Sequence, residues 1–177
     1  MLLYLFALGQ VGEERYGQKI VPAGVLYVPA RDVLVSAKAE LDDDAIIAEK
    51  AKQLRRSGLL LDDADTLHAM ERGDTPQYLP LHFKDGRYSG EALASAERLG
   101  RLSRHIDGAL RAMAAELRAG SIAADPYFRS QTDSACALCD YRDACHFDEE
   151  TDTRRYLTRL PAKEVWEMIE AEEGDVP

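Results

Sequence analysis

Hydrophobic and polar positions change period several times along this chain, and each change predicts an element. The first eight residues, Met1 to Leu8, are apolar apart from the hydroxyl of Tyr4. An apolar stretch with no polar face predicts a helix surrounded by protein on every side. Chain ends are ordinarily exposed and loosely held, so this beginning is expected of a segment cut from a larger polypeptide. Gly24-Val25-Leu26-Tyr27-Val28-Pro29 has a β-branched and aromatic centre between Gly and Pro, which predicts a strand over 24–29.

Asp42, Asp43 and Asp44 then offer a cap and first-turn acids to a helix whose Ile47, Ala51 and Leu54 share one face, with Arg55 and Arg56 near its end and Gly58 as its stop. A shorter helix is expected from Asp62 or Asp63, turning Leu67 and Met70 inward and ending at Gly73. Leu79, Leu81 and Phe83 alternate toward Asp85-Gly86 and Tyr88, the pattern of a small hairpin. The strongest period lies between Ser89 and Gly120, where Leu99, Leu102, Ile106, Leu110, Met113 and Leu117 form one stripe of a long helix. Ser89 is its expected cap and Gly120 its stop, with Leu102, Ile106, Leu110 and Met113 expected in the core. Residues 121–152 read as a loop, Pro161 opens a final helix carrying Val165, Trp166 and Ile169, and the end is acidic. The sum is a mixed α/β fold with no internal repeat.

Composition narrows the function. The chain has 177 residues, 46% of them apolar and 31% charged, which suits one packed domain. Thirty-two acids against twenty-two bases give a formal charge of −10, which excludes a whole-domain electrostatic clamp on nucleic acid or on an anionic membrane. No apolar run approaches the roughly 18–20 residues that span a bilayer, so a soluble, cytoplasmic protein is expected. The opening apolar run lacks basic residues ahead of it and is followed by Glu13 and Glu14, unlike a targeting signal.

Candidate chemistry concentrates in one place. Cys136, Cys139 and Cys145 are three, an odd number, and cannot close a disulfide framework. The Cys-x-x-Cys spacing lets two thiolates reach one metal from a single turn, and Cys145 returns to the same centre, which points to soft-metal ligation in a reducing compartment. A fourth ligand is needed. His146 adjoins Cys145, and neighbouring residues seldom both reach one ion, so a ligand beyond this sequence is favoured. The acidic runs at 42–44 and 62–65 sit at helix starts, where capping accounts for them. No Walker A loop and no Ser-His-Asp or Cys-His arrangement is present, and His68, His82, His105 and His146 share no helical spacing. Arg98, Arg101 and Arg104 follow one side of the long helix and suit DNA phosphates, or else form a solvated face paired with Glu91, Glu97 and Glu116.

The segment Cys136-Ala137-Leu138-Cys139-Asp140-Tyr141-Arg142-Asp143-Ala144-Cys145-His146-Phe147-Asp148 resembles the C-terminal cysteine cluster of AddB-type subunits of helicase–nucleases, a branch of the PD-(D/E)XK nuclease superfamily. Asp125-Pro126-Tyr127 before it and Arg154-Arg155-Tyr156-Leu157 after it are similar too. The resemblance implies that Cys136, Cys139 and Cys145 are three ligands of a [4Fe–4S] cluster, completed by a remote N-terminal Cys that this sequence lacks. Leu2-Leu3-Tyr4-Leu5-Phe6-Ala7-Leu8 resembles the end of the superfamily's Gln-x-x-x-Tyr element, with Tyr4 as its tyrosine and the glutamine due just before Met1. The Mg²⁺-holding carboxylates of the family lie upstream of that element, so the chain alone is expected to be inactive.

The implied organisation is a C-terminal portion of a nuclease domain over 1–157, including a cysteine loop at 125–150, then a terminal helix and acidic tail over 158–177. The implied partners are the upstream polypeptide, the helicase–nuclease A subunit and DNA, in double-strand end processing and recombinational repair. A Cas4-like iron–sulfur exonuclease shares the three-cysteine ending, but the long separation of Tyr4 from Cys136 and the Phe147-Asp148 pair favour the AddB type. A non-enzymatic, metal-stapled interaction module is the alternative from another class.

Overall fold

A computed structural model describes residues 1–37, 40–73, 75–148 and 150–172. The chain divides into two compact units, Met1–Ile106 and Asp107–Pro177. In the first, helix α1 (Leu2–Tyr16) precedes strand β1 (Gly24–Tyr27), helix α2 (Asp43–Gln53), strand β2 (Ser57–Leu61) and helix α3 (Ala64–Met70). A hairpin of β3 (His82–Lys84) and β4 (Arg87–Ser89), a two-residue strand β5 (Leu93–Ala94) and the start of helix α4 (Ala96–Arg118) follow.

Local chemistry sets these elements. The Asp42 carboxylate accepts from Ala45 N at 2.7 Å and that of Asp63 from Thr66 N at 2.8 Å, so the acidic runs act as caps of α2 and α3. Asp85 and Gly86 both take positive φ, 53° and 75°, which lets two residues reverse the chain between β3 and β4. Phe83 then packs on Tyr88 across the hairpin, with ring centroids 4.8 Å apart.

Two expectations fail at β2. Helix α2 ends at Gln53, and Gly58 lies inside β2 instead of stopping the helix. Ser57–Leu61 pairs antiparallel with β1 and parallel with β5, so long-range ladder bonds outweigh the helical reading of the residues before it. Ile47 is 57% exposed, and Ala51 is the buried residue of α2. The sheet order β1-β2-β5 puts β2 in the centre, with β1 ending at Tyr27, short of the expected residue 29.

Leu60 of β2, Leu67 of α3, Leu79 and Leu81 form a fully enclosed core, with Leu26, Met70, Tyr88, Ala92 and Leu93 packed around it. The segment carrying Leu79 and Leu81 is irregular, and side chains supply its hydrogen bonds from both sides. Glu71 accepts from the backbone N–H groups of Gln77, Tyr78 and Leu79 at 2.8, 3.0 and 2.9 Å. Arg55 Nε donates to Leu79 O at 3.0 Å, and its Nη2 donates to Leu81 O.

Desolvation raises the Glu71 pKa, but those backbone donors and the Arg56 charge together hold it below its ordinary 4.5. A depressed native pKa means the carboxylate stabilises the fold above the unfolded-state value, and the contribution is lost as pH falls through the native one. Glu71→Gln should therefore cost about 1–2 kcal/mol at neutral pH. Urea titrations should show the gap from wild type closing as the pH drops below 4.5.

Helix α4 is the longest element, as its period predicts, but it begins at Ala96 with Ser95 Oγ accepting from Arg98 N at 3.2 Å. Ser89, the expected cap, belongs to β4, because β5 intervenes. Leu99 is buried and Leu102 and Ile106 are half-buried, whereas Leu110, Met113 and Leu117 are exposed. The expected burial thus holds only toward the helix start, where β2 and β5 lie close. In helix α1, Gly12 packs on Ile20 and Gly9 on Pro22, while Met1, Tyr4, Leu8 and Val11 are exposed, so the helix presents apolar surface.

In the second unit, strands β6 (Tyr127–Ser130), β7 (Asp133–Ser134) and β8 (Arg155–Tyr156) form a sheet in the order β7-β6-β8. Helix α5 (Arg142–Cys145) lies between β7 and β8 in sequence, so the expected loop over 121–152 contains strands and a helical turn. Helix α6 (Ala162–Glu172) follows Pro161 and buries Trp166 and Ile169. Among the described residues no helix is long and apolar enough to cross a membrane.

Candidate functional site

Strand β6 holds both ends of the cysteine segment. Phe128 pairs with Ser134 of β7 on one side and with Tyr156 of β8 on the other, so the chain between them leaves and rejoins the same strand. Backbone bonds from Ala135 N to Tyr127 O at 3.0 Å and from Leu157 N to Phe128 O at 3.0 Å fix the two exits. The Arg155 guanidinium meets the Asp125 carboxylate at 3.1 Å, and Arg129 meets Asp133 at 2.8 Å. The conspicuous flanking residues Asp125, Arg155 and Tyr156 are thus the clasp of this loop.

Successive turns place the thiols. Cys139 N donates to Cys136 O at 3.5 Å, Arg142 N to Cys139 O at 3.3 Å, and Cys145 N to Tyr141 O at 2.9 Å. Cys136 is half-buried, Cys139 and Cys145 are exposed, and all three are free thiols. His146, next to Cys145, is exposed with φ 53°. Among the described residues no three Cys, His, Asp or Glu side chains gather into a ligand set. Three thiolates are the right donors for a soft metal such as iron or zinc, and the turn spacing brings them from one loop.

The loop also encloses a hollow of about 270 Å³ beside Cys136, lined by Gln131, Ser134, Arg142 and Arg154 together with Phe128 and Ala137. The Arg154 guanidinium stands 4.7 Å over the Phe128 ring, and that ring packs edge-on against Tyr156 at 5.7 Å. Sequence reading marks Arg142 and Arg154 only as neighbours of the cysteines. The signal that they share a wall is the β6–β8 pairing, which is long-range.

The remaining candidates lie in the first unit. Tyr4 is 71% exposed on α1. Arg98 and Arg104 are exposed, and Arg101 is half-buried with Glu97 at 2.6 Å. A separate hollow of about 300 Å³ runs between α1, β2 and α4, where Phe6, Gly9, Leu61 and Leu99 are among its walls. None of Tyr4, Arg98, Arg101 and Arg104 lines it.

The family model of the PD-(D/E)XK nuclease superfamily matches residues 1–146. The chain belongs to that superfamily. Its mixed α/β fold agrees with the nuclease class expected from the cysteine motif. A curated relative from Symbiobacterium thermophilum, named as the B subunit of an ATP-dependent helicase/deoxyribonuclease, is 32% identical over 99% of this chain and 16% of its own length. Relatives of the same name from Moorella thermoacetica and Clostridium acetobutylicum are 34% and 31% identical, over 96% and 99% of this chain. The chain spans about 16% of the length of these relatives. This nuclease-superfamily match takes in all three cysteines, at 136, 139 and 145, and stops short of α6.

Proposed function

We propose that this chain is a C-terminal part of the nuclease domain of an AddB-type subunit of an ATP-dependent helicase–nuclease. The reading is carried by one observation, the similarity of nearly the whole chain to proteins named as the B subunit of a helicase/deoxyribonuclease, with the cysteine trio inside the matched superfamily region. In this reading the protein works in the cytoplasm on double-strand DNA ends ahead of recombination, beside an A subunit. Cys136, Cys139 and Cys145 act as three ligands of a [4Fe–4S] cluster, and the fourth comes from upstream polypeptide. Bound there, the cluster supplies a covalent staple between distant parts of the polypeptide. Tyr4 is the remainder of the Gln-x-x-x-Tyr element, and Arg98, Arg101 and Arg104 contact DNA phosphates in this reading. The carboxylates that hold Mg²⁺ for phosphodiester cleavage are contributed from outside these residues.

The purified chain should show no Mg²⁺-dependent cleavage of linear duplex or single-stranded DNA. A longer polypeptide carrying this segment should contain iron and sulfide, and Cys139→Ser in it should remove the iron, lower stability and weaken binding to duplex ends. Exonuclease activity of the 177-residue chain that disappears on changing Asp62 or Asp63 would overturn the reading, as would an iron-free longer polypeptide indifferent to Cys139→Ser.

A further inference from the structure

We propose that Cys136 and Cys139 form a reversible dithiol–disulfide pair from which Cys145 is excluded. On the ligand reading above, closing the pair withdraws two of the loop's three soft donors; the pair itself does not depend on that reading.

The fold builds the pair. Phe128 pairs with Ser134 across the β6–β7 ladder and Ala135 N donates to Tyr127 O at 3.0 Å, so the chain is anchored to the sheet immediately before Cys136. Two turns follow, closed by Ala137 N to Ser134 O at 3.2 Å and by Cys139 N to Cys136 O at 3.5 Å. A turn of this kind brings its first and fourth Cα atoms within about 7 Å, and a disulfide spans about 4.4–6.8 Å. Cys145 belongs to later turns, closed by Arg142 N to Cys139 O and by Cys145 N to Tyr141 O. Among the described residues the three thiols do not gather into one ligand set, which agrees with a pair and a separate third thiol.

Exposure assigns the order of events. Cys139 is exposed and Cys136 half-buried, and both are free thiols. The Cys139 sulfur attacks a small-molecule disulfide such as glutathione disulfide, forming a mixed disulfide and releasing one glutathione thiol. Cys136 then displaces the second glutathione and closes the Sγ–Sγ bond. Two electrons pass to the glutathione disulfide, and the two protein thiol protons leave on the two glutathione thiols. Cys145 is exposed too, but no second thiol shares its turn, so its mixed disulfide persists. In a reducing compartment disulfides are transient and sense redox state, which suits an accessible pair on a surface turn.

The test is peptide mapping by mass spectrometry of the metal-free 177-residue chain after exposure to glutathione disulfide, in buffer and in urea. In buffer the Cys136–Cys139 bond should exceed any link to Cys145 by at least about tenfold, the advantage of a partner already held in place. In urea only separation along the chain counts, and doubling it disfavours closure by only about threefold, so the preference should shrink. Cys136→Ser should trap glutathione on Cys139. Cys145→Ser should form the bond at a rate within about twofold of wild type. The proposal is overturned if the main linkage includes Cys145, if Cys136 and Cys139 both retain glutathione, or if the products are the same in buffer and in urea. Iron content and DNA cleavage, by which the nuclease reading is judged, do not enter.

Discussion

Leu60→Ala should lower the stability of the fold by about 2–5 kcal/mol, the range for a large side chain truncated in a closed core. Leu60 sits in the central strand of the β1-β2-β5 sheet with no exposed surface, and it touches the core built from α3 and the 79–81 segment. Neither neighbour can move into the gap easily. Its backbone is bonded on both sides, and Leu79 and Leu81 are tethered through Arg55. Leu117→Ala makes the contrast: that side chain is 77% exposed and its loss should stay within about 0.5 kcal/mol. Urea midpoints of the two variants, measured together, decide whether the core lies where the structure puts it.

Gly58→Ala should be comparably damaging, about 3 kcal/mol, for a different reason. Gly58 has φ 153° and lies against β1, and a Cβ built there falls 1.9 Å from Val25 O. That atom is backbone, so no side-chain rotation relieves the clash and the β1–β2 ladder must part. Gly108→Ala tests the same substitution where nothing lies within 4 Å, in the exposed middle of α4. There it should stabilise by roughly 0.5–1 kcal/mol, because alanine is the better helix former. Equal thermal shifts for the two would contradict the β1–β2 register.

The contrast between Gly58 and Asp85-Gly86 shows what the sequence makes legible. The hairpin turn is a local device, and so are the caps Asp42 and Asp63, whose partners lie three residues away. These elements could be read directly. Strands β2 and β5 could not, because Gly58-Leu59-Leu60-Leu61 has no alternation and its partners at 24–27 and 93–94 are distant in sequence. The period of α4 was legible along its whole length, yet Leu110, Met113 and Leu117 are exposed, since a period reports a face and not what covers it.

The cysteine trio followed the same division. Its spacing is a local pattern that reads directly, and the nuclease superfamily it suggests is the one the chain belongs to. The arginine-lined hollow beside it was invisible, because Arg142 and Arg154 reach one wall only when β8 returns to pair with β6.

The parallel pairing of Leu60 and Leu61 with Leu93 and Ala94 means that the chain leaves the first sheet and re-enters it at adjacent positions. Everything between, from α3 to the His82–Ser89 hairpin, is an excursion whose two ends are already neighbours. Closing a longer excursion costs little, since each doubling of loop length adds only about 0.6 kcal/mol. The exposed Asp85-Gly86 tip is therefore where the domain can absorb extra length, whether through insertions during divergence or through a reporter peptide spliced in by design, without shifting the register of the strands below.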